Sequence, residues 1–260
     1  MIVDQSRPEV LALIPARGGS KGIRRKNLLV LAGRPLLAYS IGHAQQAHYV
    51  TRIIISTDDD EIAQVARSCG AEVPFVRPTE YAQDLSPDID VFRHALEWLI
   101  QEEGYRPTLV VHLRPTGPVR RAELIDRAIE LMHRNPKADS LRSVSWPIQT
   151  PYKMWRVGTK GYLEPLLKLK NMPDAHSMAR QILPETFWQN GYVDIIRPRT
   201  ILEQNSMTGK QVLPFIVDEP MHELDYPESI PVVEAALERI ARGEIPTEPS
   251  LWNASRHHPV

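Results

Sequence analysis

The sequence predicts an α/β protein with a mostly parallel sheet and helices on both faces. Three observations predict it. The first apolar run, residues 10–15, is unbroken rather than alternating, as in a strand buried on both faces. Short β-rich runs recur at residues 52–56 and 108–113. Segments with apolar residues at helical spacing stand between them, which is the β-loop-α rhythm of a parallel sheet.

The first strand ends at Pro15 and opens into a loop with glycines at 18, 19 and 22 and cations at 17, 21, 24, 25 and 26. Glycines let a backbone come close to an anion and aim successive N–H groups at it. Arg17, Lys21 and Lys26 add full charges, as a triphosphate needs. The loop is neither Gly-x-x-x-x-Gly-Lys-Ser/Thr nor Gly-x-Gly-x-x-Gly, which counts against a P-loop ATPase and a dinucleotide-binding dehydrogenase.

After a Gly33-Arg34-Pro35 turn, Leu36, Leu37, Ile41 and Ala44 predict a helix of about three turns. The strand at 52–56 runs into Asp58, Asp59, Asp60 and Glu61. These suit the start of the next helix, which Gly70 closes, and Asp58 at the strand tip is also a candidate carboxylate near a metal. Residues 72–75 read as a third strand, 91–103 as a helix and 108–113 as a fourth core strand. A tip from Arg114 to Arg120 leads into a helix over 121–134 and a strand over 140–145. Between Trp146 and Trp188 prolines break the rhythm, which marks an inserted arm. Strands at 191–196 and 212–217 and a helix at 229–241 follow, then a loose tail from Gly243 with His257 and His258. One domain over residues 1–260 accommodates all of this.

Composition removes other classes. The chain is 42% hydrophobic and 24% charged, ordinary for a soluble globular protein. A formal net charge of -1 leaves no global field to attract nucleic acid or an anionic membrane. No run approaches the roughly 20 apolar residues of a membrane span. Cys69 is the only cysteine, so no intramolecular disulfide forms. The first residues do not read as a signal peptide, and a cytoplasmic location is expected.

The motif Arg17-Gly18-Gly19-Ser20-Lys21-Gly22 with Lys26-Asn27 resembles the fingerprint of the acylneuraminate cytidylyltransferases, the CMP-sialic acid synthetases and their relatives. The resemblance continues in order through Ser56-Thr57-Asp58, Arg77-Pro78, Ala82-x-Asp84, Arg114-Pro115-Thr116-Gly117-Pro118-Val119-Arg120, Arg180-Gln181, Asn190-Gly191 and Glu223-Leu224-Asp225. It implies a Rossmann-like nucleotidyltransferase sheet with a dimerisation arm, about residues 146–188, reaching over a neighbouring subunit. It implies a magnesium-dependent reaction in which a sugar hydroxyl attacks the α-phosphorus of CTP and pyrophosphate leaves.

On this resemblance Arg17, Lys21 and Asp225 are the catalytic candidates. Arg17, Gly18, Gly19, Ser20, Lys21, Lys26, Asn27, Arg77, Ser86 and Asp88 are expected at the nucleotide. Arg114, Thr116, Arg180, Gln181 and Asn190 are expected at the acceptor. Asp225, with Glu223, is expected to hold Mg2+. The family usually reads Asp-Ile-Asp at the acidic pair, so Glu223 is longer by one methylene. It has Gln-Pro-Thr-Ser-Pro-Leu-Arg where this chain has Arg114 and Gly117. An arginine there favours an anionic acceptor or turns away into a salt bridge. Asp88 stands where the family has a small hydroxyl residue near the base, and it could accept from cytosine or guanine. A guanylyltransferase, a cytidylyltransferase acting on a phosphonate or sugar phosphate, and a non-catalytic nucleotide-binding protein are the alternatives.

Overall fold

The structure is a computed structural model and describes residues 8–219 and 222–244. The expected tail beyond residue 244, with His257 and His258, lies outside the described residues.

The first strand, β1 (Val10–Pro15), is buried on both faces: Leu11 and Leu13 meet one layer, Ala12 and Ile14 the other. The basic loop follows, then a small hairpin of β2 (Val30–Leu31) and β3 (Arg34–Pro35). Helix α1 (Leu36–Gln46), β4 (Arg52–Ser56) and α2 (Asp60–Ser68) come next. Asp59 caps α2 by accepting from the Ile62 N–H, and Asp60 and Glu61 occupy its first turn. Asp59, Asp60 and Glu61 therefore serve the helix start, as its dipole favours, while Asp58 lies before the cap.

Two boundaries differ from expectation. Residues 72–75 form no strand: only Glu72 bridges to Ile54, while Val73 and Phe75 are buried by packing. Pro74 has no N–H to extend the ladder. Helix α3 (Asp88–Glu103) begins three residues earlier than read, directly after Pro87 and with Asp88 and Asp90 in its first turn. Asp88 is therefore a helix-start residue.

Strand β5 (Leu109–His112), α4 (Ala122–Arg134) and β6 (Ser140–Ser145) complete the repeat. The excursion after β6 holds single 3-10 turns and one hairpin, β7 (Trp155–Val157) with β8 (Leu163–Pro165). The chain returns in β9 (Trp188–Ile196), passes α5 (Pro198–Leu202), adds β10 (Val212–Ile216) and closes with α6 (Ile230–Ala241).

The six-stranded sheet runs β10-β6-β9-β5-β1-β4. Strand β1 lies parallel to β4 and β5, and β10 parallel to β6, while β9 is antiparallel to both its neighbours. The chain moves from β1 to β4 on one side, then to β5 on the other. The carboxyl ends of β1 and β5 thus flank a topological switch point, where open α/β sheets leave a crevice.

One apolar layer carries α1, α2 and α4, and the other carries α3 and α5. A third, smaller cluster joins Ile23, Leu31, Leu36, Val119 and Leu224 to α6 through Val233 and Leu237. Ile23 belongs to the basic loop, Val119 to the loop after β5 and Leu224 to the acidic motif. One apolar anchor therefore holds all three segments in register.

Candidate active site

A cleft of about 730 Å³, open to solvent, lies at the switch point. Arg17, Arg77, Asp84, Ser86, Asp88, Arg114 and Thr116 are among the residues that line it. Six of these seven were singled out from the sequence, and the tips of β1 and β5, the segment over residues 77–86 and the start of α3 bring them together.

Arg77 is fixed by the end of β4. Its Nε donates to Ser56 Oγ at 3.0 Å, its Nη2 to the Ser56 carbonyl, and its backbone N–H to the Thr57 carbonyl at 2.8 Å. Burial lowers its pKa to about 10, so it remains a cation at neutral pH.

The basic loop is shaped by the protein's own carboxylates. Gly18 N–H donates to Asp58 Oδ1 at 3.0 Å, and a Cβ on Gly18 would stand 2.7 Å from Asp59 Oδ2. Arg25, in left-handed backbone conformation, pairs with Asp59 at 2.5 Å and with Glu61. Asn27 is buried and donates to the Arg17 carbonyl at 2.9 Å, closing the loop on itself. Gly19 and Ser20 sit at the crest, with open space beside Gly19.

The three loop cations expected at a triphosphate each face an acid. Arg17 Nη1 lies 3.2 Å from Asp84 Oδ1 and also donates to the Gln83 carbonyl at 2.7 Å. Lys21 Nζ lies 2.5 Å from Asp84 Oδ2. Lys21 holds the Asp84 carboxyl below the usual carboxylate range. Lys26 Nζ lies 3.1 Å from Asp225 Oδ1. These exposed pairs are weak and exchangeable. A polyanion with more charge would replace the carboxylates at little cost.

The acidic motif is pinned to the loop after β5 by Leu224 N–H, which donates to the Thr116 carbonyl at 2.7 Å. Burial, then the like charge of Asp225, raises Glu223 above the usual carboxylate range, against the pull of Arg114, Arg120 and Lys26. A Cβ on Gly22 would overlap the Asp225 carbonyl oxygen, so the glycine is there for contact with the acidic segment. That role was not legible from the loop alone.

Buried Arg120 locks the same tip. Its Nε donates to the Tyr192 carbonyl at 2.6 Å, Nη2 to the Arg114 carbonyl at 2.6 Å and Nη1 to Ser40 Oγ at 3.1 Å and to the Gly117 carbonyl.

The acceptor candidates divide. Arg114 both lines the cleft and forms salt bridges: its Nη1 lies 2.7 Å from Asp194 Oδ2 and its Nη2 3.7 Å from Asp88 Oδ2. Asn190 is buried in a bulge of β9 where Gly191 has φ 67°. Its amide donates to Ser145 Oγ and accepts from Tyr192 N–H, so it shapes the strand within this chain. Arg180 donates to the Pro147 and Ile148 carbonyls, and neither it nor Gln181 lines this cleft.

Sequence reading missed Asp84 as the partner of Arg17 and Lys21, and missed Asp194 altogether. The signal for Asp194 was an acid inside the apolar run of residues 192–196. His112, across the ladder from Asp194, is fully buried. Burial and the guanidiniums of Arg114, Arg142 and Arg120 hold it well below the usual histidine range. A lowered histidine contributes stability above its unfolded value of about 6.5 and loses it as pH falls below that. His112→Gln is therefore expected to shrink the drop in thermal midpoint between about pH 7.5 and pH 5.5. Parallel melts at the two pH values check it, and an undiminished drop refutes it.

Residues 11–159 match the family model described as Cytidylyltransferase. The match covers more than half of the chain. The chain belongs to this cytidylyltransferase family. It is 31% identical over 218 residues to the CMP-N,N'-diacetyllegionaminic acid synthase of Legionella pneumophila, covering 83% of this chain and 90% of that one. It is 36% identical over 139 residues to the N-acylneuraminate cytidylyltransferase of Escherichia coli O18:K1:H7. That match covers 54% of this chain and 32% of the longer relative. Among solved structures, CMP:2-keto-3-deoxy-manno-octonic acid synthetase complexed with CTP shares the fold with a TM-score of 0.66. That likeness covers 89% of this chain and 99% of that one, at 16% identity. As a cytidylyltransferase the chain has its cleft at the sheet end where this α/β class binds ligands.

Proposed function

We propose that the protein transfers CMP from CTP to an acidic sugar of the sialic or nonulosonic acid class and releases pyrophosphate. The observation that carries this reading is the cleft at the switch point of a cytidylyltransferase chain, lined by Arg17 and Arg77, with Lys21 paired to Asp84 at its wall. The acceptor class draws on the N-acylneuraminate and legionaminic acid in the names of the relatives.

In this reaction a sugar hydroxyl attacks the α-phosphorus and loses its proton. The bond from that phosphorus to the bridging oxygen breaks, and pyrophosphate leaves with the electron pair. Arg17, Lys21 and Lys26 neutralise the charge that develops on the leaving group. Asp84 and Asp225 hold these cations in place until the triphosphate arrives. Arg77, Ser86 and Asp88, which line the cleft, would orient the nucleoside, and buried Asn27 would act only by shaping the loop.

Glu223 and Asp225 would hold a magnesium ion. Burial first, and the like charge of Asp225 after it, raise Glu223, and a divalent cation would offset both. Magnesium takes one or two carboxylates and completes its shell with phosphate and water. When bound, it supplies further charge neutralisation at the triphosphate.

A homodimer is supported by the arm's exposed apolar side chains, among them Val157, Tyr162, Leu163 and Leu166. From the arm of one protomer, Arg180 and Gln181 would reach the acceptor in its partner's cleft. No helix of the described residues is long and apolar enough to cross a membrane, and a cytoplasmic setting suits soluble nucleotide and sugar substrates.

Pyrophosphate release with CTP, GTP, ATP or UTP, magnesium and N-acetylneuraminate or N,N'-diacetyllegionaminate tests the reading. Release with CTP is expected, and release with GTP alone overturns it. In the same assay Lys21→Ala is expected to lower kcat/KM about 10- to 100-fold. Near-wild-type turnover would remove the loop from the triphosphate.

A further inference from the structure

Strand β9 places one acid, Asp194, in an apolar run with no exposure to solvent. A lone buried carboxylate is costly unless paired. Asp194 Oδ2 lies 2.6 Å from Arg142 Nη1 and 2.7 Å from Arg114 Nη1, while Gln189 Nε2 stands 3.4 Å away. Its Oδ1 has no hydrogen-bond partner. Neighbouring His112 is held neutral and adds no charge. One carboxylate thus answers two guanidiniums.

The two guanidiniums differ in setting. Arg142 is buried, with Nη2 on the Met207 carbonyl. Arg114 keeps 26% of its side chain exposed and lines the cleft. Its backbone carbonyl is held by Ser40, Arg120 and Gly117, so the residue cannot swing away as a unit. The remaining acids near Arg114 are Glu223, committed to the metal in the proposed reaction, and Asp88. Asp88 stands 3.7 Å from Nη2 and is itself half exposed, a pairing that a bidentate ligand would outcompete.

We propose that Arg114 is the receptor for the acceptor's carboxylate, and that Asp194 is the positioning residue that aims it. The inference rests on the proposed cytidylyl transfer to an acidic sugar. Asp194 anchors one corner of the guanidinium from behind, and the other corner faces the cleft. Preorganisation of this kind spares the ligand the cost of ordering a long side chain.

The test compares N-acetylneuraminate and N,N'-diacetyllegionaminate with their C1 methyl esters. Wild type is expected to prefer acid over ester by about 10- to 100-fold in kcat/KM, the scale of a charge-assisted hydrogen bond. Arg114→Met, which removes charge and donors together, is expected to raise the acid's KM and bring the preference to within about threefold, with CTP affinity by calorimetry unchanged. Arg114→Lys should restore part of it, since a point charge remains without the bidentate fork. Asp194→Asn keeps the shape and one acceptor oxygen. It should weaken the acid preference through KM while CTP affinity holds, which a merely structural defect would not do.

An acid preference unchanged in Arg114→Met overturns the assignment alone. Absence of pyrophosphate release from wild type with every acid overturns the proposed reaction and this assignment with it.

Discussion

Asp225→Asn is expected to lower kcat/KM by about 100- to 1000-fold, the scale seen when one group stabilising developing charge is removed. The substitution keeps the side chain's size and removes one negative charge from a pair whose partner, Glu223, is raised above the usual carboxylate range by burial and by Asp225 itself. It also frees Lys26, 3.1 Å away, so triphosphate affinity should fall less than turnover does. Because Asp225 is half exposed, the thermal midpoint should barely move. Pyrophosphate release titrated against magnesium checks this: the variant should need more magnesium and still reach a lower plateau. A wild-type plateau at wild-type magnesium would remove Asp225 from the metal.

Gly22→Ala is expected to cost about 10- to 100-fold in kcat while leaving the protein folded. The new methyl would overlap the Asp225 carbonyl, a backbone atom held through Leu224 to Thr116. Neither side yields as a flexible side chain would. The basic loop and the acidic segment must part, and a displacement of about 1 Å is enough for such a loss when charges have to converge on one group. Gly42→Ala in α1 is the control. No neighbour stands within 4 Å of its Cβ, so it should retain activity and gain up to about 1 kcal/mol in stability from helix propensity. Equal activity of the two variants would show that the close approach at Gly22 carries no mechanical coupling.

Much of this architecture is legible in the sequence, for physical reasons that differ by element. Strand β1 was legible because a run apolar at every position has one stable use, burial on both faces. Helix α2 was legible because its acids, apolar spacing and Gly70 mark start, face and stop together. The strand expected at residues 72–75 failed because β-rich composition does not reveal that Pro74 interrupts the ladder. The start of α3 was misplaced because Ser86-Pro87-Asp88 carries helix-start chemistry before any apolar periodicity begins.

At the site, a loop rich in cations was visible but its counter-charges were not. Asp84 meets Arg17 and Lys21 only through folding, across more than sixty residues of chain. The glycines were recognised and partly misread: Gly18 and Gly22 make room for Asp59 and the Asp225 carbonyl, while Gly19 alone faces open space. Asn190 carried a polar signal that the β9 bulge uses for its own backbone.

The excursion between β6 and β9 begins and ends on adjacent, antiparallel strands, with Ser145 opposite Trp188. Its two ends are therefore stitched together by the sheet itself. Residues 146–187 can be shortened, exchanged or regrafted without rethreading any other strand, as a handle can be changed while the blade stays sharp. Change can thus accumulate in this segment at a different pace from the cleft at the sheet's switch point.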